Sequence, residues 1–170
     1  TPNIVDTHTK HQFFESHHVQ GDGPSSINVG LYDSSNRLVS CMGFIANQRR
    51  YVLNRYATSE RVVGGFSKLL KFFLANYPHL PIETFADLRW SGYTNVYATT
   101  GFTLCKTLAP DYYYVDTNNT LRIHKSNFRH KYLHKWCGAS YDPNESETTN
   151  VKRAGFARIW DCGKLKYTLQ

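Results

Sequence analysis

The spacing of the apolar residues changes partway along this chain, and that change limits the possible folds more than any other feature. Alternating apolar side chains first predict three strands, at residues 27–32, 38–45 and 51–56. Five apolar residues then recur at helical spacing and predict a helix over residues 67–76: Phe66, Leu69, Leu70, Phe73 and Leu74. Residues 82–86 return to a strand pattern. The order is therefore a hairpin, a third strand, and then a strand–helix–strand unit. This order predicts a mixed sheet with helices packed on it.

The middle of the chain continues to alternate between helix and strand. Residues 95–99 suit a short helix, Gly101 and Phe102 open another strand, and residues 112–115 form a further one. The fold class that this order predicts is α/β with α+β character, in which a central mixed β-sheet is flanked by helices.

The two ends of the chain have less regular patterns. Residues 1–12 are polar and are expected to be loose, and a short helix over residues 13–19 is expected to follow them. The C-terminal part predicts a turn at Asn118 and Asn119, a basic helix over 125–136, a polar loop over 142–150, and a closing hairpin of strands 157–160 and 165–169. Because 170 residues suit one domain, we assign residues 1–170 to a single domain, with the basic helix and the hairpin in its part 122–170.

Lysine and arginine outnumber the acidic residues by 20 to 13, which leaves a net charge of +7. Such an excess favours polyanionic partners, either nucleic acid or an acidic membrane face. Since no apolar run approaches the roughly 18 residues of a membrane-spanning helix and no signal peptide is visible, nucleic acid is the expected partner. The four cysteines lie far apart without a CxxC pair, so we expect them to be reduced and the protein to be cytoplasmic.

A glycine-rich segment lies between the third strand and the helix that follows it. It contains five residues that could bind an anionic cofactor: Arg61, Gly64, Gly65, Ser67 and Lys68. Glycines let backbone N–H groups approach an anion, and the N-terminus of a helix adds partial positive charge, so the segment could hold a pyrophosphate. The alternative is a tight turn that binds no ligand.

A carboxylate and a phenol follow the strand over residues 82–86. Asp87 comes directly after that strand, and Tyr97 lies ten residues further on. Ligands of open α/β sheets bind at the carboxyl ends of the strands. A carboxylate there can accept a proton or orient an amine, and a phenol can return a proton. The alternative is that Asp87 caps the next element and that Tyr97 is a half-buried core residue.

Two other segments contain residues that could bind ligands. His17 and His18 precede a glycine turn, where a histidine can be a base, a metal ligand, a phosphate contact or an ordinary surface residue. Residues 122–136 contain five basic side chains between aromatic ones: Arg122, Lys125, Arg129, Lys131 and Lys135. These could neutralise phosphates while the rings stack on bases, or they could form the solvated face of a helix.

Histidines and cysteines of the C-terminal part have a spacing compatible with zinc. The residues concerned are His130, His134 and Cys137, with Cys162 as a fourth ligand. Because there is no CxxC pair, no metal site is predicted.

Four segments together resemble a known family: VVGGFSKLLKFF, FADLRWSGYTNVYATTGF, APDYYYVD and GFARIWDCGKLKYTL. They are similar to the GNAT-like domain of phage proteins that are often labelled homing-endonuclease-like, and the similarity runs from about His17 to Leu169. The resemblance implies a GNAT (N-acyltransferase-like) fold. It also implies that a small nuclease or a zinc-binding module precedes the domain. Because the chain begins at Thr1 rather than Met, we expect a processed product or part of a longer protein.

The chain is more distantly similar to the phage Mom DNA-modification proteins, which are GNAT-like and convert adenine in DNA to a carbamoylmethyl derivative. The similarity rests on the LNR segment with Arg55, on Asp87 followed by Tyr97 before a Gly-Phe turn, and on His18. The resemblance implies that these four residues form the active site.

The glycine-rich segment departs at one position from the pyrophosphate motif of ordinary acetyltransferases. That motif has Arg or Gln, two residues, Gly, one residue, then Gly or Ala. Arg61 and Gly64 match it, whereas Phe66 stands where a small residue is expected. We expect the bulky Phe66 side chain to hinder the close approach of a donor to the backbone. The cofactor is therefore not assigned, and acetyl-CoA or another acyl donor remains a candidate.

Three functions stay open. The first is a GNAT-fold transferase that modifies a nucleobase in DNA, in which Asp87 deprotonates or orients the exocyclic amine and Tyr97 acts as the acid or holds the acceptor. Arg55 would bind the carboxylate or phosphate of the donor, and the basic segment 122–136 would hold the DNA backbone. Arg89 and Trp90 would then contact DNA, with Trp90 stacking on a base or filling the gap that a flipped base leaves. The second is a DNA-binding domain without chemistry that positions a nuclease. The third is an acetyl-CoA-dependent N-acetyltransferase of a small molecule or a protein.

Overall fold

The computed structural model describes residues 1–118 and 121–170. The described chain groups into two compact units. Unit 1 comprises Thr1–Thr107 and Lys164–Gln170, and unit 2 comprises Leu108–Gly163. The assignment of residues 1–170 to a single domain stays a prediction.

The strands and helices are numbered in chain order. The strands are β1 (Pro2–Ile4), β2 (Ile27–Tyr32), β3 (Leu38–Ala46), β4 (Tyr51–Thr58), β5 (Ile82–Asp87), β6 (Thr103–Leu108), β7 (Tyr112–Asp116), β8 (Arg122–His124), β9 (Phe156–Trp160) and β10 (Lys164–Leu169). The α-helices are α1 (Thr7–His17), α2 (Gly65–Asn76), α3 (Val96–Thr99), α4 (Leu133–Cys137) and α5 (Glu147–Arg153).

Unit 1 is built on a seven-stranded mixed sheet with the order β1-β2-β3-β4-β5-β10-β6. Strands β1 to β4 pair in turn as antiparallel neighbours. Strand β5 is parallel to β4. Helix α2 lies between the two strands in the sequence and returns the chain to the end of the sheet at which β4 began. The predicted α/β class, with a mixed sheet flanked by helices, is confirmed.

Helix α2 covers one face of this sheet. Its residues Phe66, Leu69, Leu70 and Phe73 are buried, and the Phe73 ring stacks on the Phe44 ring of β3 at 3.8 Å between centroids. These are four of the five residues whose helical spacing predicted the helix, and the fifth, Leu74, is partly buried. Burial of this apolar stripe holds α2 against the sheet.

Helix α1 packs on the other face of the sheet, where Phe13 and Phe14 join a separate apolar cluster with Cys41. Asp6 caps the helix by accepting a hydrogen bond from the Thr9 backbone N–H at 2.9 Å. The prediction that residues 1–12 are loose is therefore wrong, since they form β1 and most of α1. The polar composition of this segment conceals its order, because β1 is held by backbone pairing with β2.

The predicted closing hairpin is also wrong. Strand β9 pairs with β7 in unit 2, whereas β10 pairs with β5 in unit 1 over its whole length. Alternating side chains identify both strands correctly, but they carry no information about which neighbour each strand pairs with.

Unit 2 contains a three-stranded antiparallel sheet with the order β8-β7-β9. Tyr114, Phe128, Leu133 and Val151 form its buried core with Ile123 and Cys137. Ser146 caps α5, which replaces part of the loop predicted over residues 142–150. Asn119, half of the turn predicted at Asn118 and Asn119, lies outside the described residues.

The basic helix predicted over residues 125–136 is broken into pieces. Two 3-10 turns, Lys125–Phe128 and His130–Tyr132, precede the five-residue helix α4. Arg129 lies between the turns in an extended conformation, with φ of −60° and ψ of 147°. Ser, Asn, Phe, His and Tyr in this segment have modest helix propensity, so packing in unit 2 determines the backbone path.

Among the described residues, no helix combines the length and apolar character needed to span a membrane.

Candidate active site

The parallel pair β4–β5 separates toward the carboxyl ends of its strands. The two strands are in register at three positions, from Tyr51 opposite Ile82 to Leu53 opposite Thr84. Both strands continue beyond these pairs, β4 to Thr58 and β5 to Asp87. The β4–β5 opening, defined here as the region beyond Leu53 and Thr84, is where ligands of α/β sheets are expected to bind.

A β-bulge in β4 coincides with the start of this opening. The register between β4 and β3 shifts between Leu53 and Arg55, which makes Asn54 the extra residue. The Asn54 side-chain amide donates to the carbonyl oxygen of Pro24 at 2.8 Å. The bulge thereby ties β4 to the loop that follows α1.

Four polar side chains line the α1 side of the opening: His18, Gln20, Arg55 and Asp87. Arg55 Nε donates to the carbonyl oxygen of Gly21 at 3.1 Å. Gln20 Nε2 donates to Asp87 Oδ2 at 3.4 Å. The loop after α1 therefore connects the separated ends of β4 and β5.

His18 is an uncharged ring at neutral pH. Burial and the positive charge of Arg55 lower the pKa of His18. Its Nδ1 accepts a hydrogen bond from the backbone N–H of Gln20 at 3.0 Å, which leaves the proton of the neutral ring on Nε2. His18 thus offers a hydrogen-bond donor without a second positive charge beside Arg55.

A buried ion pair holds the loop that carries these residues. Lys10 of α1 is 3% exposed, and its Nζ lies 2.9 Å from both carboxylate oxygens of Asp22. His11 Nδ1 lies 3.0 Å from Asp22 Oδ2. Burial disfavours the charged form of Asp22, but the hydrogen bonds from Lys10 and His11 outweigh this effect and hold the pKa of Asp22 below its usual value.

The next residue of this loop, Gly23, lies against the bulge itself. A Cβ atom at Gly23 would be 2.9 Å from Asn54 Nδ2 and 3.0 Å from the Arg55 guanidinium. Any larger residue at this position would therefore have to displace the Asn54 amide and the Arg55 guanidinium.

Tyr97 lies on the α2 side of the opening. Its ring packs against Phe66, Phe102 and Tyr167 at 5.6 to 5.7 Å between centroids. Burial raises the pKa of Tyr97 and outweighs the opposing hydrogen bond with the Thr84 hydroxyl. The phenol therefore keeps its proton at neutral pH and can act as an acid.

Tyr56 of β4 faces the same side and packs edge-on against Phe66 at 5.0 Å. Burial also raises the pKa of Tyr56. Thr84 of β5 donates to the carbonyl oxygen of Leu53 at 3.0 Å, across the last registered pair of the two strands. The α2 side of the opening is thus lined by neutral hydroxyl groups.

Asp87 and Tyr97 are not brought together as a pair. Asp87 is three residues beyond Thr84 on β5, so the two side chains leave opposite faces of the strand. Tyr97 meets Thr84 on one face, and Asp87 meets Gln20 on the other. His18, Arg55 and Asp87 therefore share one side of the opening, and Tyr97 occupies the other side.

The turn after Asp87 explains part of that residue's position. Asp87 Oδ1 accepts from the Arg89 backbone N–H at 2.9 Å, and the Asp87 carbonyl oxygen accepts from Trp90 at 3.0 Å. The Arg89 guanidinium lies 5.8 Å from the centre of the Trp90 ring, which is 61% exposed. Asp87 thus caps a turn with one carboxylate oxygen and binds Gln20 with the other.

The glycine-rich segment forms the turn from β4 into α2. Gly64 is the N-cap of α2 with φ of 68°, and a Cβ there would meet only the end of the Lys68 side chain, at 4.0 Å. Arg61, Ser67 and Lys68 are exposed around it. The first N–H groups of a helix lack intrahelical partners, so this open turn can bind an anion.

Phe66 does not obstruct this turn. The side chain is 4% exposed and points into the core, where it meets Tyr56, Tyr97 and Phe102. The expectation that Phe66 hinders the approach of a donor is corrected, because at the start of an α-helix successive side chains point in different directions and this one faces the sheet.

Three residues of the opening were missed by sequence reasoning: Gln20, Tyr56 and Thr84. Gln20 is 67 residues away from Asp87, and no local pattern links the two. Tyr56 and Thr84 occupy inward-facing positions in the alternating pattern of their strands. That pattern predicts that both residues face the core, but it does not predict that they meet at the opening.

The predicted basic residues of 122–136 all belong to unit 2. Arg122, Arg129, Lys131 and Lys135 are exposed, whereas Lys125 forms an ion pair with Asp111 at 2.6 Å. The residues considered for zinc do not form a site: within residues 1–118 and 121–170, no group of three or more His, Cys, Asp or Glu could hold a metal ion.

Comparison with solved structures identifies the fold. A GNAT family acetyltransferase from Elizabethkingia anophelis, solved with acetyl-CoA bound, matches 100% of this chain and 97% of its own length, with a TM-score of 0.55 and 11% identity. A GNAT-family protein from Bacteroides thetaiotaomicron matches 99% of this chain and 85% of its own, with a TM-score of 0.47 and 12% identity. The first likeness shows that the chain has the GNAT fold.

Comparisons of the sequence itself give no match. No protein-family model matches the chain, and no curated protein matches it. The fold is therefore established through structure, and the links to phage homing-endonuclease-like proteins and to Mom stay predictions.

The Lys10–Asp22 pair gives a testable prediction about the loop that positions His18 and Gln20. Asp22→Asn leaves the buried Lys10 ammonium without its counter-charge, so we expect the free energy of unfolding to fall by about 3–5 kcal/mol at neutral pH. Urea denaturation followed by circular dichroism measures this change. Arg37→Gln, which removes an exposed ion pair with Asp33, is the control and should cost about 0.2–1 kcal/mol.

The Lys10–Asp22 pair also predicts how the difference in stability between the wild type and Asp22→Asn depends on pH. Because folding lowers the pKa of Asp22, the carboxylate contributes stability above its unfolded value of 3.8 and loses that contribution as the pH falls through the lower folded value. The wild type and Asp22→Asn should therefore converge at low pH. Equal stability of the two proteins at pH 7 would contradict the assignment.

Proposed function

We propose that this chain is a GNAT-type transferase that moves an acyl group from a coenzyme A thioester to a nitrogen nucleophile. The observation that carries the proposal is the β4–β5 opening, with hydrogen-bonding groups on both of its sides and the open Gly64 turn at the end of β4. The acetyl-CoA bound to the Elizabethkingia protein of the same fold supports this choice of donor.

The turn from β4 into α2 fits the anionic end of such a donor. Arg61 and Lys68 supply positive charge, Gly64 leaves the backbone accessible at the N-cap, and Ser67 adds a hydroxyl. Gly65 is buried, and its backbone N–H donates to the carbonyl oxygen of Val62 at 3.1 Å. The inward position of Phe66 removes the steric objection to this arrangement. When bound, the thioester would supply an activated acyl carbon.

The two sides of the opening can take different parts in proton transfer, with the acceptor on the α1 side and the donor on the α2 side. On the α1 side, the Asp87 carboxylate can orient an incoming amine and accept its proton, and Arg55 and the His18 Nε2–H can bind polar substrate groups. On the α2 side, the Tyr97 phenol holds a proton that it can donate. An amine that enters from the α1 side would thus meet an acceptor on its own side and a donor on the far side.

The first test concerns donor binding at the Gly64 turn. Lys68→Gln should weaken acetyl-CoA binding by about tenfold, because one phosphate contact near the helix N-terminus is lost. Isothermal titration calorimetry measures the change. Lys71→Gln, three residues further along the same helix and also exposed, is the matched control and should bind like the wild type. Equal weakening by both variants would point to a diffuse charge effect, and absence of any binding would overturn the donor assignment.

The second test concerns the acid. Tyr97→Phe removes the phenol proton while keeping the ring packing, so kcat should fall by about 10²-fold with little change in acetyl-CoA affinity. The exposed Tyr93 provides the matched control, since Tyr93→Phe should leave kcat unchanged. The measurement is release of free thiol with an amine acceptor. A Tyr97→Phe enzyme with full kcat would remove Tyr97 from the mechanism.

A nucleobase amine in DNA is the second, more specific candidate for the acceptor. The exposed Trp90 ring and the adjacent Arg89 lie just beyond Asp87, where a base extruded from DNA could stack. The net charge of +7 favours such a polyanionic substrate. A DNA-binding domain without chemistry is the rival reading, and it requires that Asp87 plays no part in any reaction.

The third test separates these readings. Asp87→Asn should lower the yield of acylated nucleoside from DNA by at least about 10²-fold while DNA binding stays intact, because only the proton acceptor is lost. Mass spectrometry of digested DNA and fluorescence anisotropy measure the two quantities. Glu60→Gln, an exposed acidic residue of the same unit, is the control. Absence of modified nucleoside in the wild type would exclude the DNA acceptor but leave the donor and Tyr97 tests valid.

A further inference from the structure

We propose that a shallow cavity in unit 2 binds an unpaired base of single-stranded nucleic acid. The cavity has a volume of about 320 Å³ and is lined by Asn127, Tyr132, Lys135 and Trp136. We call it the Trp136 cavity. The proposal concerns binding alone and does not rest on acyl transfer, because every residue that it uses belongs to unit 2.

The aromatic wall of the cavity is held rigidly. The Trp136 ring is stacked on Phe128 at 5.4 Å between centroids with an angle of 29°, and Phe128 is fully buried. Tyr132, on the same wall, is 37% exposed. Because the core already fixes this ring, stacking on a base costs it little conformational entropy. Stacking accepts any base, since every base has a π face.

Two lysine side chains lie against the tyrosine of the wall. Lys131 Nζ lies over the Tyr132 ring at 4.6 Å from its centre and Lys135 Nζ at 5.7 Å, and Arg129, two residues before Lys131 in the sequence, is exposed. The sequence contains no acidic residue from position 121 to position 141. A ligand that places a flat ring on the wall therefore has lysine side chains beside it for its phosphates.

The edge of the cavity offers hydrogen bonds. Asn127 Nδ2 donates to the carbonyl oxygen of His124 at 3.2 Å, which anchors the side-chain amide at the rim. An anchored amide beside stacking rings suits the polar edge of a base.

The size and the chemistry favour a single strand over a duplex. The volume is at the lower end of the roughly 300–1,000 Å³ that is usual for small-ligand pockets, so it suits one nucleotide rather than a helix. In a duplex the faces of each base are stacked and its edge is paired, so neither the wall nor Asn127 could engage it. A duplex would meet only the cationic rim.

The test uses the whole chain and a fluorescein-labelled dT12 oligonucleotide, without any acyl donor. Anisotropy titrations over a range of salt concentrations should show binding of dT12 that is tighter than binding of a 12-base-pair duplex. Tyr132→Ala should weaken dT12 binding by about tenfold, as expected for the loss of one base-stacking ring. Circular dichroism checks that the variant is folded.

Lysine variants test whether the rim acts locally. Lys135→Gln should weaken dT12 binding and reduce the slope of log K against log salt by about 0.7, the value for one phosphate of a single strand. Lys152→Gln removes the same charge from an exposed position on α5 of the same unit and is the matched control. If both variants weaken binding equally, the positive charge acts diffusely and the cavity is not a site.

Tryptophan fluorescence tests the wall directly without removing it. In a Trp90→Phe, Trp160→Phe background, Trp136 is the remaining tryptophan of the chain. Stacking of a base should quench its emission as dT12 is added. Unchanged Trp136 emission on saturation with dT12, or equally tight binding of the duplex, would each overturn the proposal.

Discussion

The parallel contact between β4 and β5 ends after three residue pairs, and the candidate site depends on that ending. Two neighbouring strands that stayed paired to their tips would satisfy each other's backbone groups and leave no room for a ligand. The bulge at Asn54 redirects β4 at this point, and its amide bonds to the loop after α1. That loop can close over the bulge because Gly23 has no side chain and because Asp22 is tied to the buried Lys10. An opening in the sheet is thus maintained by packing and an ion pair on one side of it.

The two sides of this opening have different electrostatic character. The α1 side contains Arg55, Asp87 and the neutral His18, which are linked through the loop and are partly open to solvent. The α2 side contains the phenols of Tyr56 and Tyr97, whose pKa values are raised by burial among aromatic rings. A substrate that crosses the opening passes from a polar, charged side to an apolar side that retains protons. This asymmetry suits a reaction that takes a proton from one group and gives a proton to another.

Much of unit 1 could be predicted from the sequence. Strand β2 was predicted with its observed bounds, and the apolar stripe of α2 packs where its spacing places it, because a 3.6-residue period has one buried face. Predictions were poorer where tertiary contacts override local pattern. Residues 1–12 are ordered by pairing with β2, and residues 125–136 form turns because Phe128 and Leu133 are buried in the core of unit 2 at the expense of a regular helix. Among the candidate site residues, Asp87, Tyr97, Arg55 and His18 all line the β4–β5 opening.

The residue types and their order along the chain settle the alternation of strands and helices, the excess of positive charge, and the glycine turn that leads into α2. They do so because the strand and helix patterns and the turn depend on neighbours within a few residues, and the net charge is a sum over the composition. Only the folded chain decides which face of the opening each polar group occupies. Asp87 and Tyr97 are ten residues apart, yet they approach the opening from opposite sides, because Asp87 leaves one face of β5 and Tyr97 packs against the other. Phe66 likewise turns away from the Gly64 turn because the apolar core beneath α2 buries its ring, and that core is assembled from residues distant in the sequence.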